Sequence, residues 1–315
     1  MQRQKISIVT PCFNEELSIR DCYEATRNVF QNELAGFDYE HIFCDNYSTD
    51  QTRTILRKLA AEDPQVKVIF NSRNFGPGNS MFNGLLATTG DVVVPFMPAD
   101  CQDPPEIIPL FIEKWQSGAD VVFGVRATRE ESRLMRTFRK IYYRSVNKLA
   151  NINIPLNVGD FTLIDRRVVD SIKEVEDYYP YLRGLIANAG FQTDSVAYTW
   201  KSRMRGISKN NAYALVDQGL NGLISFTNIP MRLVMFFGFT VAALAIFYSI
   251  ISIIIHVVVR PQGLQPGIET LIVGLFFFSG TILFSVGVLG EYVSAIHSQV
   301  RKKPLVIEQE RLNFK

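Results

Sequence analysis

Short apolar runs alternate with amphipathic stretches through most of the chain. Ile6–Thr10 (ISIVT), Tyr39–Cys44 (YEHIFC), Val66–Phe70 (VKVIF), Val92–Met97 (VVVPFM) and Asp120–Val125 (DVVFGV) are rich in β-branched and aromatic residues between polar or proline-bearing breaks, so each predicts a short strand. Between them apolar positions recur at helical spacing: Leu17, Tyr23, Ala25 and Val29; then Ile55, Leu56 and Leu59; then a stretch from about Asn79 to Thr88; then PEIIPLFIEKWQSG. Helix starts are predicted at Asn14-Glu15-Glu16, after Ser48 or Thr49 as cap, and at Pro104-Pro105. Phe161–Asp165 (FTLID) and Val196–Trp200 predict two further strands. Regular strand–helix alternation implies an α/β fold, a mostly parallel sheet wound by right-handed crossovers. Polar residues gather after each of the first four strands, at TPCFNEE, DNYSTD, NSRNFGPG and PADCQDPPE. Open α/β sheets bind ligands at that edge.

The pattern changes towards the C-terminus. Glu130–Ala150 is strongly basic with apolar residues at helical spacing, and Tyr213–Phe226 predicts an amphipathic helix lying along an interface. Leu233–Val259 then carries one His and no formal charge, long enough at ~1.5 Å per residue to cross a ~30 Å hydrocarbon layer. Thr270–Leu289 is a second such run, and RPQGLQPG between them suits a tight turn. Arg232, Arg301, Lys302 and Lys303 flank the pair against a lone Arg260 in the turn, which predicts both ends on the cytoplasmic face. No apolar run precedes Leu233, so no signal peptide is predicted and the large domain is expected in the cytosol. Cys12, Cys22, Cys44 and Cys101 show no CxxC spacing and read as small core residues. A net charge of +2 gives no case for a nucleic-acid partner.

With its four motifs in this order, the chain resembles the family-2 glycosyltransferases of GT-A fold. The likeness, carried by motifs across residues 5–210, is strongest to polyprenyl-phosphate glycosyltransferases, a group including bactoprenol glucosyl transferases and dolichol-phosphate mannose synthases. It implies a GT-A (Rossmann-like) cytosolic catalytic domain over 1–209 and an amphipathic juxtamembrane helix over 210–229. A two-helix transmembrane hairpin over 230–297 and a cytosolic tail over 298–315 follow. It also implies that Pro11, Phe13 and Glu15 line the base and ribose of a sugar-nucleotide donor, and that Asp45 hydrogen-bonds the nucleobase. Arg73, Asn74 and Asp100 would lie along the donor, with Arg126 near its phosphates. The plain alternative for Glu15 is an acidic first helical turn, and Ser48 and Thr49 read as caps.

Many relatives read DADxQ where this chain has Pro98-Ala99-Asp100-Cys101-Gln102, so one carboxylate is missing. Asp100 and Gln102, two apart on an extended segment, would face one side and offer oxygen to Mg²⁺ or Mn²⁺, with donor phosphates and waters completing the shell. Alternatively Asp100 is a turn residue and Asp103 a helix cap. By resemblance Asp160, in GDF, sits near the reacting atoms as a base, or orients sugar hydroxyls or a basic partner; a cap or turn residue is the plain alternative. A lipid monophosphate has a second pKa near ~6 and needs positioning more than deprotonation. Candidate residues for its phosphate are Arg139, Arg203 and Lys209, with Arg136, Lys140 and Arg205 reading as solvated charge.

The implied reaction is inverting transfer of a hexose, glucose from UDP-glucose, to undecaprenyl phosphate at the cytoplasmic membrane. GDP-mannose, UDP-galactose and UDP-N-acetylglucosamine are alternative donors. A non-catalytic membrane scaffold is the reading from another class, and retention of Asp100, Gln102, Arg126 and Asp160 argues against it. QxxRW, expected of a processive synthase, is absent, as is GxGxxG after the first strand. Gly280, Gly287 and Ser294 recur at heptad spacing and would permit close helix packing, and the resemblance implies a homo-oligomer, dimer or tetramer.

Overall fold

The computed structural model describes residues 3–126, 158–174, 181–200, 229–259, 268–300 and 304–314. The helices expected at 130–150 and 213–226 lie outside the described residues, as do Arg136, Arg139, Lys140, Arg203, Arg205 and Lys209. The chain divides into two compact units, Met1–Leu215 with Lys303–Lys315, and Val216–Lys302.

In the first unit the order is β1 (Lys5–Cys12), α1 (Ile19–Asn32), β2 (Asp38–Asp45), α2 (Thr52–Glu62), β3 (Val66–Asn71), α3 (Pro77–Leu86) and β4 (Val92–Val94). Then come α4 (Ile108–Gln116), β5 (Val121–Arg126), β6 (Val158–Asp165), α5 (Arg166–Lys173), α6 (Leu182–Ala189), β7 (Thr193–Tyr198) and, after the second unit, β8 (Glu308–Leu312). These strands make one eight-stranded sheet in the order β7-β5-β6-β4-β1-β2-β3-β8. Only β6 and β8 run against the rest, each pairing antiparallel with its neighbours. The mostly parallel α/β sheet predicted from the alternation is therefore present.

Side chains alternate across the sheet, as a strand with both faces covered requires. Val92 and Val94 pack into one apolar layer with Ile19, Cys22, Leu56, Leu59 and Phe111 from α1, α2 and α4. Val93 faces the other layer with Phe82, Leu85, Val168 and Ile186 from α3, α5 and α6. Gly84 lets α3 lie close to the sheet, because a Cβ there would come within 2.5 Å of Cys44 Sγ and Val9.

Three departures from the expected elements have local causes. Strand β4 stops at Val94, since Pro95 has no N–H for a ladder bond. Strand β1, expected to break at Pro11, continues to Cys12 beside Asp45. Val9 O, which points to the same side as Pro11 N, accepts from Met97 beyond the end of the β4 ladder, so the missing N–H falls where no ladder bond is required. Helix α1 starts at Ile19 and not at Asn14, whose φ of 55° is left-handed and incompatible with a first helical turn.

In the second unit α7 (Ile229–Val259) and α8 (Ile268–Val300) span about 46 and 50 Å at the usual rise. Their large apolar residues face outward: Phe236, Phe239 and Phe247 on α7, and Leu271, Leu283 and Phe284 on α8, are each more than half exposed. Two spans were expected, at 233–259 and 270–289. Among the described residues one window is long and apolar enough to cross a membrane, Phe277–Ser294 in α8, and α7 carries a shorter apolar run, Leu233–Ala245. The segment 298–315, expected as a tail, instead finishes α8 and then adds β8 to the edge of the first unit's sheet.

Candidate functional site

The loops that follow β1, β2 and β4 share a feature that sequence pattern does not announce. Each holds a non-glycine residue in left-handed backbone: Asn14 at φ 55°, Tyr47 at φ 68° and Cys101 at φ 52°. Such conformations cost bulky residues free energy and gather where a loop is held in one shape for a purpose. The first two loops are laced together. Asn14 N–H donates to Ser48 Oγ (2.9 Å), Glu15 N–H to Thr52 Oγ1 (2.9 Å) and Thr49 N–H to Asn14 Oδ1 (2.8 Å). The hydroxyls expected to cap α2 are thus spent across the loop, and Gln51 at the N-cap makes no side-chain cap bond.

Asp45, expected to hydrogen-bond the nucleobase, is held by its own loop. Its side chain is fully buried, both oxygens accept from Ser48 N–H (3.2 Å), and Arg53 Nε lies 3.3 Å away. Burial pushes its carboxyl pKa up, against the pull of Ser48 and Arg53. A carboxylate so enclosed orders the β2 loop. Tyr47 and Thr49 are the exposed residues there, with Arg53 5.8 Å from the Tyr47 ring. Beyond β3, Asn46 and Asn71 brace the NSRNFG loop: Asn46 Nδ2 donates to Asn74 Oδ1 (3.0 Å) and Asn71 Nδ2 to Asn46 Oδ1 (3.1 Å). Arg73 is exposed and stacks 3.9 Å from the Phe75 ring.

After β4 the chain turns at Pro98, whose carbonyl accepts from Cys101 N–H (3.1 Å). Gln102 N–H then donates to Asp100 Oδ1 (3.2 Å), so Asp100 and Gln102 belong to one tight turn at the edge where the parallel strands end. Asp103 is not a helix cap. Its carboxylate, 1 % exposed, takes a two-pronged contact from Arg126 Nη2 (3.0 and 2.9 Å) and a short hydrogen bond from Tyr198 Oη. Arg126 Nε is 3.3 Å from both Asp103 Oδ1 and Tyr198 Oη, and the Trp200 ring stands 5.1 Å from the guanidinium. Arg126, expected at the donor phosphates, is therefore a strut between β5, β7 and the β4 loop. Burial raises the Tyr198 phenol pKa, and Asp103 raises it further, which keeps the proton on tyrosine.

Strand β6 is antiparallel, so its start lies at the edge where the parallel strands end. Val125 pairs with Val158, and a Cβ on Gly159 would sit 3.3 Å from Arg126 Nη2. Asp160, next along, has a partner that sequence reading lacked, Arg183 of α6, whose Nε is 2.8 Å from Asp160 Oδ1. The topology thus brings Pro11, Phe13, Glu15, Asp45, Asn74, Asp100, Gln102, Arg126 and Asp160 to one edge.

A family model described as Glycosyl transferase family 2 matches residues 7–173, which contain every one of these loops. The chain belongs to glycosyl transferase family 2. Among curated relatives of this glycosyltransferase, a bactoprenol glucosyl transferase of Shigella phage SfX is 37% identical over 98% of this chain and 99% of its own. One from Shigella phage SfV is 38% identical over 98% and 99%. A prophage bactoprenol glucosyl transferase homolog of Escherichia coli K12 is 36% identical over 96% and 98%. A solved structure of glucosyl-3-phosphoglycerate synthase from Mycobacterium tuberculosis with Mn²⁺, UDP-glucose and phosphoglyceric acid is 19% identical, with a TM-score of 0.48, over 70% of this chain and 79% of that one.

The glycosyltransferase presents no cluster of three or more His, Cys, Asp or Glu side chains suited to a metal among the described residues. One carboxylate and one amide oxygen in a single turn, at Asp100 and Gln102, instead fit a hard cation shared with substrate phosphates.

Proposed function

We propose that this glycosyltransferase moves glucose from UDP-glucose to the phosphate of a polyprenol, undecaprenyl phosphate, with inversion at the anomeric carbon. The observation that carries the reading is the run of relatives named bactoprenol glucosyl transferase, which align with both compact units of the chain and not the catalytic unit alone. An acceptor phosphate oxygen attacks the anomeric carbon, the bond to the donor's pyrophosphate breaks, and UDP leaves with the electron pair. An α-linked donor gives a β-linked lipid-phosphate sugar.

A divalent cation, Mg²⁺ or Mn²⁺, held by Asp100 and Gln102 would offset charge on the departing pyrophosphate. Pro11, Phe13 and Glu15 face the base and ribose, and Arg73 and Asn74 flank the donor. Since the acceptor is ionised at neutral pH, Asp160, fixed by Arg183, is better suited to orient the sugar hydroxyls than to remove a proton. Arg126 holds the metal turn in shape through Asp103. Arg139, Arg203 and Lys209 supply the positive charge that two phosphorylated substrates require. The outward-facing apolar residues of α7 and α8 support a two-span hairpin in the cytoplasmic membrane, with the catalytic unit and both chain ends on the cytosolic side and the heptad-spaced small residues of α8 joining copies in a homo-oligomer.

Purified protein incubated with Mg²⁺, undecaprenyl phosphate and a panel of radiolabelled sugar nucleotides tests the reaction. Labelled lipid from UDP-glucose supports it. Label from another donor corrects the sugar, and none from any donor refutes transfer. Asp100→Ala is expected to abolish product while the protein still inserts in membranes, and undiminished turnover would remove the metal assignment.

A further inference from the structure

The segment that follows the membrane helices does more than close a sheet edge. Strand β8 pairs antiparallel with β3, yet its residues alternate between partly buried and exposed, so apolar burial alone does not hold it. Polar contacts do. Asn83 Nδ2 donates to Glu308 Oε1 (2.6 Å), Arg57 pairs with Glu310 (2.5 Å), and Arg53 Nη2 donates to Gln309 Oε1 (2.8 Å).

The last contact reaches the donor side of the site. Arg53 is the counter-ion of buried Asp45, and Asp45 fixes the β2 loop through Ser48 N–H. Arg53 Nε stands 3.3 Å from Asp45 Oδ2, but that nitrogen donates no hydrogen bond among the described residues. The guanidinium lies on the Phe70 ring at 4.8 Å and near Tyr47 at 5.8 Å, contacts that carry little direction of their own. Among the described residues, the hydrogen bond that fixes its direction is the one Arg53 Nη2 donates to Gln309 Oε1. We infer that Gln309 of β8 is a positioning residue for the nucleotide end of the donor site, acting through Arg53 on Asp45 and the Tyr47 loop. This rests on the reading of the β1 loop, which Ser48 and Thr49 of the β2 loop hold in place, as the nucleotide end of the donor site. The strand that steadies that site therefore follows α7 and α8 in the sequence.

The test is UDP binding to the detergent-solubilised full chain by calorimetry, with no acceptor present, together with the KM and kcat for UDP-glucose. Gln309→Ala is expected to weaken UDP and raise the KM by about five- to tenfold, the scale of one charge-assisted hydrogen bond, with kcat within about twofold and melting temperature unchanged. Gln309→Glu keeps the acceptor oxygen and should restore wild-type affinity. Glu310→Gln, which breaks the neighbouring Arg57 pair, should leave UDP affinity alone. Wild-type affinity in Gln309→Ala, or an equal loss in Glu310→Gln, overturns the inference while wild-type binding keeps the donor reading. Failure of the wild type to bind UDP removes both.

Discussion

Left-handed backbone at Cys101 sits between the two residues assigned to the cation, which makes the turn itself testable apart from the thiol. Glycine accepts φ near 52° without a steric penalty, whereas a β-branched side chain there costs about 1–2 kcal/mol. Cys101→Gly is therefore expected to keep turnover within about twofold, and Cys101→Val to lower it by about tenfold through a displaced Asp100. Equal losses in both would mean that the sulfur, and not the turn, matters. Asp103 supplies a second residue-scale expectation. Removing a buried partner leaves Arg126 uncompensated, so Asp103→Ala should cost about 3–5 kcal/mol of stability, read as a fall in denaturation midpoint of the purified protein. Tyr198→Phe keeps the ion pair and should cost about 1–2 kcal/mol. The residue types at this edge were legible in the sequence, but their pairings were not. Arg126 read as a phosphate ligand because its contacts to Asp103 and Tyr198 join residues distant in the chain, and Asp160 lacked a partner for the same reason.

At the scale of elements, period and punctuation located the strands, while the loops chose the helix starts. Asn14-Glu15-Glu16 looked like a first turn because acidic residues there suit the helix dipole, but their N–H groups are taken by Ser48, Thr52 and Asp50 of a loop brought near by the β1–β2 pairing. The strand ends far from the site carry a different polar device. Glu40 of β2, 1 % exposed, accepts from Ser7 Oγ (2.6 Å) and pairs with Lys5 of β1 and Lys67 of β3 (both 2.7 Å), joining three strands. Burial alone would raise its pKa, yet Lys5, Lys67, Ser7 and Thr89 outweigh it and bring it from 4.5 to about 2. On the same strand burial brings His41 from 6.5 to about 3, so it stays neutral in the fold. Both folded values lie below the unfolded ones, so the stability they contribute is present at neutral pH. The His41 part is lost as pH falls from 6.5 through about 3, and the Glu40 part as pH falls from 4.5 through about 2. Stability of the wild type should accordingly begin to fall below about pH 6.5 and more steeply below 4.5. Glu40→Gln should lose about 3 kcal/mol at pH 7 and show a shallower fall between pH 4.5 and 3, by denaturant titration at stepped pH. An unchanged slope would mean that Glu40 titrates normally.

Over the whole molecule, hydropathy and motif order marked out a catalytic unit and a helical one, but not the return of the chain. Residues 304–314 mix apolar and charged positions without a clear period and follow an apolar helix, which is how a tail reads; their strand character comes from β3, whose exposed edge they cover. Asn313 strengthens the closure, its Nδ2 donating to Ala60 O (2.6 Å) and Val66 O (2.8 Å), and Phe314 packs against Val9, Ile42, Cys44 and Ile69. Without this segment β3 becomes an open strand edge beside a bared apolar patch, the arrangement that invites pairing between chains. A chain ending at residue 303 keeps both long helices, so it is expected to reach the membrane as the full chain does. Once extracted in detergent it should melt several degrees lower and aggregate on warming, by light scattering, with UDP affinity weakened at least as much as in Gln309→Ala. Restoring 304–315 with Asn313→Ala should recover the strand but only part of the melting temperature, because two carbonyls near the α2–β3 connection lose their donor. A truncated chain as stable as the full one would mean that β8 is an ornament on the sheet, and that catalytic unit and C-terminus are separable.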